Sequence, residues 1–376
     1  KRSTNIELLK IVSIILMICS HYMNHGGAIK QVKKASLINK YIIWFCYLGG
    51  NIGSHLFGII LGFLLVKSKF KIKRIIKIYF GVTFWSILFN IIWNLKWKSP
   101  EEGNRITHDL FILHFYEYWF TRTYVGLTML TPLVNRGLLQ LTKFQFICLI
   151  FGMELFTDLN KTFIKGSSLM FDGDLFRLLR FYIIGAYIKL YDVKVFGRFY
   201  FIHFILGIIV YALKVVAYVH NEFFEKNLKL YIAENRVYSI FSTLIVVLGF
   251  LFFKELKMKN LKIINLFGMS TFGIYLFHEN YHFRDDYNYW INIFHTDEHY
   301  NDKKLWLHVI ITVLLIFFCC GIAEIIRDKI FSFLINWIMK LSCIKKFDEK
   351  MNKIQLDSNE KKENEFNSLN LTLKSE

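Results

Sequence analysis

The sequence predicts an all-α fold: a polytopic membrane helix bundle of about ten transmembrane helices. Three observations lead there. Apolar runs close to the ~20 residues needed to cross a hydrocarbon core recur along the chain. Hydrophobic residues make up 54% and aromatics 18% of the 376, with mean hydropathy +0.36, more apolar surface than a soluble domain of this length needs. The turns between runs are short and dense in Lys and Arg, the pattern that faces the cytoplasm.

The runs fall near residues 6–25, 41–66, 75–95, 117–135, 144–158, 175–191, 199–219, 236–253, 262–280 and 305–326. An even number places both termini on one side. The basic turns "KSKFKIKRIIK" (67–77), "NRGLLQLTK" (135–143), "KLYDVKVFGR" (189–198) and "KELKMKNLK" (254–262) put that side in the cytoplasm. The outer loops at 98–109, 158–174 and 283–304 are longer and hold acids. This divides the chain into a transmembrane domain, 1–344, and a disordered polar cytoplasmic tail, 345–376, nearly free of aromatics.

The net charge of +18 suits an anionic lipid leaflet, because the basic residues sit in clusters beside apolar runs. No motif for reading bases accompanies them, so the partner is the lipid bilayer and no nucleic acid is expected. The six cysteines show no CxxC spacing and read as small buried hydrophobes. Lys1 and Arg2 precede an apolar stretch without an A-x-A cleavage site, which predicts a retained first helix. Abundant Lys, Asn, Ile and Phe with few Pro and Ala point to an AT-rich bacterial genome, and hence to a bacterial plasma membrane.

The first run, "LLKIVSIILMICSHYMNH" (8–25), contains Lys10 and His21. Eleven residues of helix rise about 16 Å and return to within roughly 20° of the same face. One cation therefore stands near the cytoplasmic surface, and an imidazole stands above it towards the outer surface. Ionisable groups inside a bilayer are costly and mark pathways or sites. Snorkelling of Lys10 and interfacial anchoring of His21 are the plain alternatives.

This run, as "NIELLKIVSIILMICSHY", resembles the first helix of the integral-membrane acyltransferase 3 family, the bacterial polysaccharide O-acetyltransferase type. Further stretches resemble that family in order: "GGNIGSHLFGIILGFLLVKSKF" (49–70), "KRIIKIYFGVTFW" (73–85), "YWFTRTYVGLTMLTPLVN" (118–135), "FYIIGAYIKLY" (181–191) and "STFGIYLFHENYHFRDDYNYW" (270–290). Together they cover most of residues 4–330. The chain departs from the family's pattern at Lys10 and Lys77, where arginine is usual, and at Leu61 and Phe80. Lysine keeps the charge and loses the bidentate fork.

The resemblance implies a membrane O-acyltransferase that moves an acetyl group from cytoplasmic acetyl-CoA to a hydroxyl of a cell-envelope or capsular glycan. It assigns acyl-CoA phosphate binding to Lys10, Arg74 and Lys77, with Lys73 nearby, and general-base catalysis to His21. Acceptor contacts fall to His278, Glu279 and Arg284, with Trp290 in the same loop; interfacial anchoring is the alternative for these. Imidazole suits the base role because its ordinary pKa lies near neutrality. Succinyl in place of acetyl, and a covalent acyl-histidine in place of direct transfer, stay open at this point. Positive-inside anchoring is the plain reading of Arg74 and Lys77.

No metal is expected. The i,i+4 pair in "HTDEH" (295–299) lies in a polar loop rather than on a helix. Asp172 and Asp174 read as structural acids at a helix start, Glu324 as the partner of Arg327, and Glu154 is left without a role. With no G-x-S-x-G elbow, the chain is expected to acylate its acceptor directly or to hand over to a separate protein. The rival from another class is a transporter or flippase for a lipid-linked glycan, which shares the spans and basic turns and involves no covalent chemistry.

Overall fold

The computed structural model describes residues 3–96, 110, 118–159, 173–223 and 239–354, and among these no residue is in a strand. The outer loop at 98–109, most of that at 158–174 including Asp172, and residues 355–376 lie outside the described part.

Ten helices fall, in order, on the ten expected runs: α1 Thr4–His25, α2 Leu37–Leu65, α3 Lys73–Lys96, α4 Trp119–Gln140, α5 Lys143–Glu154, α6 Asp174–Leu190, α7 Phe201–Phe223, α8 Ile240–Glu255, α9 Lys262–His278 and α10 Leu305–Ile338. Five of them, α1, α2, α3, α7 and α10, are long and apolar enough to cross a membrane. Local chemistry sets several starts. Ser36 caps α2 by accepting from the Asn39 N–H, and Thr142 with Gln145 forms a reciprocal capping box at α5.

α1 and α2 form the central pair, with α9 and α10 against α1 and α6 against α2. Small residues permit the close approach, as expected where lipid supplies no hydrophobic drive between helices. A Cβ on Gly62 would stand 1.9 Å from the Tyr182 carbonyl oxygen, and one on Gly185 would stand 2.1 Å from that of Ile59. Polar ties reinforce the same seam: Tyr182 Oη donates to Asn135 at 2.6 Å, and Asn135 donates to the Leu65 carbonyl at 3.0 Å. That carbonyl lies in the last turn of α2, where no intrahelical donor remains.

Several charges inside the bundle are paired. Arg180 of α6 meets Glu154 at 3.1 Å and Asp158 at 2.8 Å, and Thr243 of α8 donates to Asp158 at 2.8 Å. Glu154, left without a role by the sequence, is thus part of a brace between α5, α6 and α8. Glu324 does pair with Arg327, through two contacts at 2.6 and 2.7 Å, but the pair is buried and shares Trp85 Nε1 rather than facing the surface. Asp174 pairs with Arg177 at 3.1 Å in the first turn of α6.

One expectation is corrected. Residues 345–354, read as the start of a disordered tail, belong to a helix spanning 342–354, here α11. Half-buried Ile344, Asp348, Met351 and Asn352 recur at helical spacing among exposed lysines, so a one-sided pattern hides within a polar composition.

Candidate active site

Two cavities are stacked along α1, α2 and α4. The first, about 290 Å³, is lined by Lys10, Phe57, Arg74 and Tyr124, with Gly268 and Thr271 of α9. The second, about 320 Å³, is lined by Met17, His21, Ser54, Trp119, Glu279 and Arg284 among others. On α2 they are separated by the step from Phe57 to Ser54, about 4.5 Å of rise. Phe57 meets Phe120 at that level, ring centroids 5.7 Å apart.

Lys10 and Arg74 come together as the sequence suggested, although they stand on different helices. Lys10 is also held by Glu7 at 2.5 Å. Arg74 lies at 3.5 Å from Ser68 Oγ. Lys77 goes elsewhere: its ammonium pairs with Asp328 of α10 at 2.8 Å, and it does not line the cavity. Lys77 lies on the same side of α3 as Arg74, and the pairing with Asp328 draws its ammonium towards α10 instead of the cavity. Lys73 likewise donates to Asn336 at 2.6 Å.

In the second cavity, the end of α9 is fastened before its side chains act. The Leu276 carbonyl accepts from Tyr118 Oη at 3.0 Å and the His278 carbonyl from Tyr289 Oη at 3.2 Å. These are carbonyls that a helix end leaves unpaired. Asn280 adds a hydrogen bond to Tyr118 Oη at 3.0 Å. His278 and Glu279 are therefore held in place by the backbone that bears them.

A chain of hydrogen bonds then fixes the proton on His21. His278 Nδ1 lies 2.7 Å from the Ile274 carbonyl oxygen, an acceptor only, so Nδ1 carries the proton and neutral His278 keeps a lone pair on Nε2. His21 Nδ1 lies 3.0 Å from that Nε2 and 2.9 Å from Glu279 Oε1. With that lone pair facing it and a carboxylate oxygen close by, Nδ1 of His21 is the protonated nitrogen. In the neutral imidazole the lone pair then falls on Nε2, the form a general base requires. The other Glu279 oxygen receives Arg284 Nη1 at 2.7 Å. Burial opposes the charge on Arg284, yet Glu279 and Asp285 outweigh it and raise the guanidinium pKa above its ordinary value.

His278 and Glu279, which the sequence had as acceptor contacts, both lie directly against His21. Glu279 and Arg284 also line the cavity; Trp290 does not, being fully buried against Tyr22. The sequence reading missed His25, Asn51, Tyr47 and Trp119, which line the same cavity, and Tyr124 in the other. His25 was findable, one helical turn beyond His21 on the same face. His25, His21 and Glu279 can also bring one donor atom each to within 4.8 Å, a set able to hold a metal ion. His295 adopts positive φ and 295–299 is not a helix, so the "HTDEH" spacing never forms.

These features define the class: a helical membrane protein with a cation-lined cavity next to a polar cavity in which a histidine stands against a buried carboxylate. The model of the acyltransferase 3 family, described as an acyltransferase domain, matches residues 3–337, and the chain belongs to that family. No curated protein and no solved structure matches the chain.

Proposed function

We propose that this acyltransferase moves an acetyl group from cytoplasmic acetyl-CoA to a hydroxyl of a bacterial cell-envelope or capsular glycan, in the plasma membrane. α1 to α10 each cross the bilayer in this reading, with both termini and the Lys10–Arg74 cavity inside. The observation that carries it is the fixed tautomer of His21, one helical face above Lys10.

Donor phosphates meet Lys10 and Arg74, and the pantetheine arm, on the order of 16 Å long, reaches past Phe57 to the level of His21. The acceptor hydroxyl enters the second cavity, where Tyr47 and Trp119 offer faces to a sugar ring. His21 Nε2 takes the hydroxyl proton as the oxygen attacks the thioester carbonyl. The C–S bond breaks, and the proton passes from the imidazolium to the departing thiolate. Glu279 stabilises that imidazolium, and Arg284 orients Glu279.

The test is transfer itself. Purified protein in nanodiscs, given labelled acetyl-CoA and envelope glycan, should move label into alkali-labile esters on the glycan. Release of no thiol and transfer of no label, with glycan crossing the membrane instead, would establish the transporter reading.

A further inference from the structure

α11 lies beyond the residues that the family's model matches, 3–337, and folds back onto the turn between α2 and α3. That turn delivers Arg74. Asn352 grips one residue of it from both sides: the Phe70 N–H donates to Oδ1 at 2.7 Å, and Nδ2 donates to the Phe70 carbonyl at 3.0 Å. Nδ2 also donates to the Asp348 carbonyl at 2.7 Å, so three of the carboxamide's four hydrogen-bonding positions are engaged. One turn earlier on the same face, Asp348 accepts from the Ile72 N–H at 2.7 Å. Ile72 immediately precedes α3, so this carboxylate sits at the positive end of the α3 dipole and takes a donor that a helix start leaves unpaired. Phe347 adds an edge contact to Phe70, ring centroids 6.2 Å apart.

The turn has little of its own to hold it. Residues 69–71 have no regular structure, and the stretch "KSKFKIKRIIK" crowds Lys67, Lys69, Lys71, Lys73, Arg74 and Lys77 together. Mutual repulsion favours spreading of such a segment. Against this, α11 supplies a carboxylate and a carboxamide to the backbone at positions 70 and 72, while its own lysines 345, 346, 350 and 353 face solvent.

We infer that α11 is an intramolecular clamp on the donor-binding turn, with Asn352 and Asp348 as positioning residues for Arg74. They touch no substrate; they set where the Arg74 guanidinium waits for the phosphates of an acyl-CoA. The inference rests on the assignment of Arg74 to the donor.

The experiment is acyl transfer by the full chain in nanodiscs over a range of acetyl-CoA concentrations. Asn352→Leu and Asp348→Ala should each raise the apparent KM for acetyl-CoA about three- to tenfold, with kcat within about twofold, because ground-state binding is what a displaced phosphate contact loses. In an Arg74→Ala background the same substitutions should add almost nothing, since the clamp acts through that side chain. Lys353→Ala, on the exposed face, should leave both constants unchanged. Equal effects of Asn352→Leu with and without Arg74, or no effect of either clamp variant while Arg74→Ala does raise KM, would overturn the clamp alone. A silent Arg74→Ala would remove the donor assignment and the clamp with it. Should Asn352→Leu fail to accumulate, Asp348→Ala decides on the same criteria.

Discussion

His21 Nδ1 and Glu279 Oε1 stand 2.9 Å apart, one at the end of the first helix and the other just past the ninth. With His278 Nε2 at 3.0 Å from the same nitrogen, two acceptors face one donor. In the proposed mechanism this contact orients His21 as the base, and its first consequence concerns the carboxylate. Glu279→Gln keeps an acceptor and removes the charge that steadies the imidazolium. It should lower kcat by about 10²-fold or more while leaving the KM for acetyl-CoA nearly unchanged. A KM effect on the glycan with kcat preserved would instead make Glu279 an acceptor contact.

Arg74 and Lys77 stand three residues apart and should behave differently. Arg74→Ala removes a cation that lines the first cavity, so the KM for acetyl-CoA should rise by about tenfold or more. Lys77→Ala breaks a half-exposed pair with Asp328, and a surface pair of that kind contributes about 0–1 kcal/mol to stability. Acetyl-CoA titrations of both variants should separate them; equal KM changes would return Lys77 to the donor site.

The donor set His21, His25 and Glu279 gives chelation a clear meaning. If Nδ1 of His21 holds a proton between two acceptors, prolonged treatment with EDTA or 1,10-phenanthroline should leave transfer unchanged. Loss of activity restored by a stoichiometric divalent ion would identify a metal site in place of the proton chain.

Topology can be tested at positions chosen for exposure. Phe70 and Trp290 are buried, so cysteines there would label poorly, whereas Lys71 and Asn292 are exposed. Cysteines at 71 and 292 should react with impermeant maleimide from opposite sides of the membrane. Labelling of both from one side would contradict the ten-span arrangement.

The helices were legible because each is announced by a run of apolar residues, and Lys10 with His21 because one helix fixes their relation. Relations between helices were less so. Glu154 looked like an intramembrane charge in search of a role until Arg180, on another helix, appeared beside it. Glu279 sat in a stretch read as acceptor contacts, since nothing in its neighbourhood along the chain says that it faces His21. The neighbour of Lys77 was not legible because periodicity on α3 gives its face but not whether that face meets the cavity or Asp328 of α10. α11 was missed for a compositional reason: a stripe of four half-buried residues is swamped by lysines when the segment is averaged. His25 is different. Its spacing from His21 was in plain view, and only the cavity gave it significance.

The central claim is that His21 removes the proton from the acceptor hydroxyl. Its most direct test is His21→Ala, assayed for labelled acetyl transfer alongside acetyl-CoA binding and abundance in the membrane. The account predicts transfer reduced by about 10² to 10⁴-fold with binding and abundance nearly intact. Near-normal O-acetylation by the His21→Ala protein would contradict it and leave the imidazole an interfacial residue.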